Sequence, residues 1–263
     1  MNTPPVALTI AGSDNSSGAG IQADLKTFSS HGVYGLTAIT CIVAEVPGQV
    51  SAIQPVELEI VAEQIRLSFK AYPVAAVKTG MLHSREIIGI VCDELEKQKM
   101  PVVVDPVMIA TSGDPLLKAD AVDLFKTRLF KRATLVTPNL DEAGVLLGHP
   151  VTNEAEMREA GHELVKKFGV AFLLKGGHLR GDKAIDLLFS DGKVFEFAVP
   201  YVHGVSTHGT GCTYSAAITA SLAKGLPLAV AVSEAKHFVT RAIANHFRWK
   251  REGGTTHALN HFK

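Results

Sequence analysis

The sequence predicts an α/β fold in which a mostly parallel sheet is covered by helices on both faces, formed as one domain over residues 1–263. Short continuous apolar runs alternate with longer segments of helical spacing, the pattern of strands buried on both faces. A chain of 263 residues suits one large α/β domain or two small ones, and no linker, repeat or low-complexity tract divides it. Hydrophobic residues make up 46% of the chain, enough to fill a sizeable core between helices and sheet.

Residues 6–11 predict the first strand, followed by a Gly/Ser-rich turn and a helix over 19–30. Residues 36–44 form a second apolar run and 50–54 a short alternating one. Helical spacing over 56–71 leads to a strand at 74–77, a helix at 84–97 and a strand at 101–104. A helix over 120–129, a strand at 134–136, a helix over 153–168 closed by Gly169 and a buried strand at 170–174 repeat the theme. The pattern then changes, because 185–190 and 193–199 flank Asp191-Gly192, a strong hairpin signal. Two long helices, 213–224 and 228–245, complete the fold, with room for a disordered or loosely docked tail after Trp249.

Composition excludes several function classes. Lys plus Arg and Asp plus Glu both number 26, so no net field attracts nucleic acid or an acidic membrane. Cys41, Cys92 and Cys212 are odd in number and lack zinc-type spacing, which predicts free thiols in a reducing compartment. The eleven histidines show no H-E-x-x-H spacing, which argues against a zinc enzyme. No secretory signal or bilayer-spanning apolar run is evident, so a cytoplasmic protein is expected.

Open α/β sheets bind ligands at the carboxyl ends of their strands, and the polar and Gly-rich loops fall there. Ser206-Thr207-His208-Gly209-Thr210-Gly211-Cys212-Thr213 runs straight into an apolar, Ala-rich helix. Small residues let the backbone approach a ligand, and the free amides and dipole of the first helical turn favour an anion, most naturally a phosphate. Cys212 there is the candidate base, its pKa lowered by the helix N-terminus, or else it only shapes the anion hole. His208 is expected to satisfy loop carbonyls. Lys175, following a buried strand, calls for a partner such as phosphate.

Gly12-Ser13-Asp14-Asn15-Ser16-Ser17-Gly18-Ala19-Gly20 fits neither the dinucleotide fingerprint nor a Walker A loop. It reads as a flexible pocket wall, with Gly12 and Ala19 facing substrate and Asp24 beyond it hydrogen-bonding a substrate hydroxyl. Met81 in Lys78-Thr79-Gly80-Met81, and Val107 in Asp105-Pro106-Val107-Met108, lie at strand ends beside the same pocket. Asp105 and Glu142 supply the oxygen ligands magnesium prefers, although Glu142 also suits the first turn of a helix. Asn139 is a nucleotide contact or a helix N-cap. Together these features suggest a nucleotide-dependent transferase.

These stretches, collinear from Ala7-Leu8-Thr9-Ile10-Ala11-Gly12-Ser13-Asp14 through Ser112-Gly113-Asp114, Thr137-Pro138-Asn139 and Lys175-Gly176-Gly177-His178 to Thr207–Thr213, resemble the hydroxymethylpyrimidine/phosphomethylpyrimidine kinases of thiamine biosynthesis. The resemblance covers nearly the whole chain. It implies a ribokinase-like three-layer sandwich with a small flanking β element, and a homodimer. It also implies transfer of the ATP γ-phosphoryl group, with Mg2+, to 4-amino-5-hydroxymethyl-2-methylpyrimidine and to its monophosphate. Gly209, Thr210, Gly211 and Cys212 would hold the transferring group, and Lys175 would neutralise phosphate charge. The chain departs from the family at Val43-Ala44-Glu45-Val46-Pro47, where Glu45 replaces a pyrimidine-contacting Gln. It also departs at Val202-His203-Gly204-Val205-Ser206. A pyridoxine-type alcohol is therefore the alternative substrate, and a catalytically silent binding protein the non-enzymatic one.

Overall fold

The computed structural model describes residues 3–108, 119–177, 179, 181–205, 208–251 and 254–262. The Ser112-Gly113-Asp114 stretch, His178 and Ser206-Thr207 lie outside them. A nine-stranded sheet runs in the order β3-β2-β1-β4-β5-β6-β7-β8-β9. Its centre is parallel: β2 (Tyr34–Val46), β1 (Val6–Asp14), β4 (Val74–Thr79), β5 (Val102–Val104), β6 (Leu135–Val136) and β7 (Ala171–Lys175). Both margins are antiparallel, with β3 (Gln49–Pro55) folding back on β2, and β8 (Lys183–Ser190) and β9 (Lys193–Pro200) closing the other side.

Period-2 alternation along each strand divides the apolar residues between two cores. Leu8, Ile10, Val77, Val102, Val104, Val136, Phe172 and Leu174 face one cluster. It contains residues of α2 (Leu58–Ala71), α3 (Arg85–Leu95), α6 (Leu140–Leu147) and α7 (Glu154–Phe168). Ala7, Ala76, Val103, Leu135 and Leu173 face the other, built on α1 (Gly20–Ser30), α8 (Thr210–Ala223) and α9 (Leu228–Ala244). Two-sided burial explains why the central strands read as unbroken apolar runs. α8 is buried almost throughout and packs with small residues such as Ala216, Ala217 and Ala220, which bring it close to the sheet and to α1.

Three elements differ from the sequence expectation. The helix expected at 120–129 is α4 (Ala119–Leu124), continuing through a π-helical segment (Phe125–Leu129) into α5 (Phe130–Arg132). The apolar run at 36–44 is the middle of a longer strand, half of a hairpin that extends beyond the sheet body. The described residues after Trp249 are paired and anchored rather than disordered or loosely docked. The segment pairs as β10 (Phe247–Arg251) and β11 (Gly254–Ala258), and buried Leu259 and His261 then anchor it. Thr213 Oγ1 lies 2.9 Å from His261 Nε2, and Ser30 Oγ donates to the His261 carbonyl, so the tail clips α1 to α8.

Candidate active site

The parallel strands deliver Asp14, Met81, Asp105, Asn139 and Lys175 to one edge of the sheet, where they line a cavity of about 450 Å³. Gly12, Ala19, Glu45, Val107, Glu142, Gly209, Thr210, Gly211 and Cys212 line it as well. Asp24 is the exception among the residues singled out from sequence. It is fully buried beneath the site, bound by Lys78 Nζ at 2.8 Å and accepting from Thr9 Oγ1 at 2.6 Å. A substrate hydroxyl would have to displace that ion pair, so Asp24 ties α1 to β1 and β4 instead of hydrogen-bonding substrate.

The start of α8 has the geometry expected of an anion cradle. Gly209 occupies the N-cap of α8 with φ of 80°, and no side chain among the described residues caps the helix, so its first-turn amides remain open to a ligand. A Cβ on Gly209 would lie 1.7 Å from the Gly18 carbonyl oxygen, so only glycine lets the two loops meet. A Cβ on Gly211 would lie 3.3 Å from Lys175 Nζ and 3.6 Å from Asp105 Oδ2, which places the cradle directly against those charges. Thr210 Oγ1 is buried without a hydrogen-bond partner among the described residues, as a hydroxyl that binds a phosphate oxygen would be.

Asp105 accepts from Lys175 Nζ at 3.0 Å, Ser215 Oγ at 3.1 Å and Thr137 Oγ1 at 3.2 Å. Burial pushes its pKa up, but Lys175, Lys78 and these hydrogen bonds outweigh it and hold the carboxyl below its usual range. Burial likewise opposes the Lys175 charge, and Asp105 and Glu142 more than restore it. Asn139 and Glu142 form a capping box on α6, each side chain accepting from the other's backbone N–H at 2.8 Å. Both structural readings from sequence therefore hold, yet both residues also face the cavity. Burial raises Glu142 to about 7, partly offset by Lys175. Two carboxylates beside a phosphate cradle fit magnesium, a hard ion usually bound by one or two carboxylates, phosphate and water.

Cys212 requires a correction. Its thiol is pushed up to about 11, because burial outweighs the lowering by Lys78, and Asp24 and Asp105 add to the rise. The free protein therefore holds a neutral thiol at pH 7, contrary to the lowered value expected at a helix N-terminus.

His208 also differs from expectation, since its Nε2 pairs with Asp14 Oδ2 at 3.2 Å rather than satisfying loop carbonyls. Asp14 additionally accepts from the Ser16 and Ala19 amides and from Ser16 Oγ. Burial pushes Asp14 up, but His208 and these donors hold it well below the usual carboxylate range. The same bonds, with Gln22 joined to Ser13 and the Asp14 amide, pin the β1–α1 loop into a fixed wall instead of a flexible one. Atoms of Asp14, Glu45 and His208 approach within 4.8 Å of one another, close enough for a metal ion. Asp14 and His208 are paired with one another there, as a charge-paired wall of the cavity.

At its other end the cavity reaches Asp186, Tyr214, Lys236 and Tyr201, none of which sequence reasoning identified. Lys236 pairs with Asp186, which also accepts from the Gly176 amide beside Lys175. The available signal was an acid in a predicted strand and a lysine in a predicted helix, each ordinary alone.

A family model described as phosphomethylpyrimidine kinase matches residues 14–257. The hydroxymethylpyrimidine/phosphomethylpyrimidine kinase of Rhizobium meliloti (strain 1021) is 47% identical over 240 residues, 91% of this chain and 90% of the relative. Among solved structures, phosphomethylpyrimidine kinase from Clostridium difficile 630 superposes with a TM-score of 0.80 at 40% identity, covering 91% of this chain and 99% of that one. Pyridoxal kinase from Staphylococcus aureus in complex with AMP-PCP and pyridoxal superposes with a TM-score of 0.88 at 35% identity, covering 99% and 94%. The fold thus accommodates both kinds of vitamin kinase.

Proposed function

Because this chain belongs to the phosphomethylpyrimidine kinase family and is a phosphotransferase, we propose that it transfers the γ-phosphoryl group of ATP to 4-amino-5-hydroxymethyl-2-methylpyrimidine and to the monophosphate. The observation that carries this reading is the uncapped start of α8 facing Lys175 and Asp105 across one cavity. ATP enters with its phosphates at Gly209–Cys212 and its nucleoside toward the Asp186, Tyr214 and Lys236 end. The alcohol lies at the Gly12, Glu45 and Met81 end.

The alcohol oxygen, or a phosphate oxygen of the monophosphate, attacks the γ-phosphorus as the bond to the bridging oxygen breaks, and the alcohol's proton leaves on a phosphoryl oxygen. Such a loose transition state asks the protein mainly for alignment and charge stabilisation. The α8 amides and Thr210 hydroxyl bind the phosphoryl oxygens, and Lys175 balances their charge. Asp105 and Glu142 would hold Mg2+, which neutralises phosphate charge when bound. Cys212 aligns the attacking hydroxyl, since its neutral thiol is a poor base in the free protein.

The similarity to pyridoxal kinase supports a second reading, with a pyridoxine-type alcohol at the same end. ADP release with Mg-ATP separates them: turnover with the pyrimidines supports the first reading, and turnover only with pyridoxine or pyridoxal supports the second. We also place the protein in the cytoplasm, as one domain acting as a homodimer. Cys41, Cys92 and Cys212 are all free thiols, and none of the described helices is long and apolar enough to cross a membrane. Tyr34, Ile42, Val46 and Val50 on β2–β3, with Leu58 and Ile60 on α2, leave an apolar margin exposed that a second copy would cover.

A further inference from the structure

The helical hydroxyls of Thr27, Ser68, Thr219 and Thr240 each donate to the carbonyl four residues earlier, at 2.7–2.8 Å. This back-bonding is a common outlet for a hydroxyl within a helix, and it bends the helix slightly. Thr213 does otherwise. Its hydroxyl lies 2.9 Å from His261 Nε2, while the carbonyl four residues earlier, that of Gly209, accepts only the Thr213 amide among the described residues, at 2.9 Å.

His261 is buried, and its backbone is fixed by two helices. The Asn260 N–H donates to the Ala242 carbonyl of α9 at 3.1 Å, and Ser30 Oγ at the end of α1 donates to the His261 carbonyl. Burial and the nearby Lys26 charge hold the imidazole pKa down to about 4, so at pH 7 the ring is neutral and carries one N–H. The ring also bonds the Leu259 carbonyl, which can only accept. The N–H therefore goes to Leu259, and Nε2 is left as the acceptor for the Thr213 hydroxyl.

The Gly209 carbonyl belongs to a rigid peptide unit whose other half is the Thr210 amide, one of the open donors at the start of α8. A second donor on that carbonyl would tilt the whole unit and turn the Thr210 N–H with it. We propose that His261 is a positioning residue for phosphoryl transfer: by accepting the Thr213 hydroxyl it keeps that group off the Gly209 carbonyl, and so keeps the Thr210 amide aimed into the anion cradle. His261 does not line the catalytic cavity, and it acts through Thr213 from 48 residues further along the chain. The inference rests on the reading of the α8 start as the phosphoryl site.

The experiment uses full-length His261→Gln, His261→Asn and the double variant His261→Asn/Thr213→Val. A Gln amide reaches the Nε2 position and keeps an acceptor for Thr213, whereas the shorter Asn reaches only the ring nitrogen nearer the backbone. Turnover is measured with Mg-ATP and 4-amino-5-hydroxymethyl-2-methylpyrimidine, and the Thr210 amide is followed by its NMR resonance. His261→Gln is expected to keep most of the wild-type kcat and the wild-type Thr210 resonance. His261→Asn should lose at least about 10-fold in kcat, part of what a missing anion-hole donor costs, with KM for the alcohol unchanged and the Thr210 resonance displaced. Adding Thr213→Val removes the misdirected hydroxyl and should restore much of that kcat without restoring the melting temperature. If His261→Asn does not fold, His261→Leu, which also lacks an acceptor for Thr213, supplies the same contrast. Equal kcat in the Gln and Asn variants overturns the inference, and so does a double variant no faster than His261→Asn. A Thr210 resonance unmoved in His261→Asn overturns it whatever the turnover. A displaced resonance in a protein whose wild type phosphorylates no alcohol would uphold the tie to the cradle and sink the kinase reading instead.

Discussion

Cys212 and His208 each owe their chemistry to neighbours distant in the chain. With its thiol raised to about 11, Cys212 should react with iodoacetamide slowly at pH 7, and ever faster as pH climbs toward 11. A rate that levels off near neutrality would mean a thiolate is already present. If the residue aligns the hydroxyl, Cys212→Ala should lower kcat by roughly 10-fold and by less than about 10²-fold, the lower end of what a general base supplies. The melting temperature should barely change, and a larger kcat loss would restore Cys212 as the base. His208 is raised above its ordinary value of 6.5 by its hydrogen bond to Asp14. A folded-state pKa above the unfolded one gives stability that is fully present below pH 6.5 and lost as pH rises through the folded value. Thermal melts from pH 5.5 to 9 should therefore show an alkaline decline in wild type that is weaker in His208→Gln.

At the scale of elements, two helix starts are held face to face across the proposed phosphoryl site. Gly209 at the entry to α8 meets Gly18 before α1, and His261 fastens the first turn of α8 from behind through Thr213. Gly209→Ala combines a left-handed backbone, costing an L-residue about 1–2 kcal/mol, with a Cβ against the Gly18 carbonyl. The loops must separate, so kcat should fall by more than about 10²-fold, the scale of losing an anion-hole donor. Near-normal steady-state kinetics in this variant would show that the cradle tolerates that separation and is not the phosphoryl site.

At the scale of the whole molecule, the sheet margin carrying β2 and β3 has two duties. Its pocket side presents Glu45, and its apolar exterior presents Ile42 and Val46. If a second copy covers that exterior, light scattering should give a dimer for wild type and a monomer for Ile42→Lys. A monomeric wild type would refute the assembly. Because Glu45 lies on the same hairpin, the monomeric variant should also show a raised KM for the alcohol.

By itself the sequence determined the sheet, its helical cover and the edge where the site lies. These follow from local periodicity: Leu8, Val77 and Phe172 sit in short apolar runs, and Asp14, Asp105 and Lys175 end or follow them. The glycines and threonine of the anion loop were legible because backbone approach to phosphate needs small residues at fixed spacing. Only the tertiary structure decided which charges meet. Asp24 looked like a substrate contact until Lys78 was folded against it, and His208 a loop filler until Asp14 was brought to it from 194 residues away. The Cys212 pKa, the Asp186–Lys236 end of the cavity and the docking of the tail by His261 belong with them. The reason is physical: burial and charge pairing sum over neighbours in space, which local periodicity does not specify.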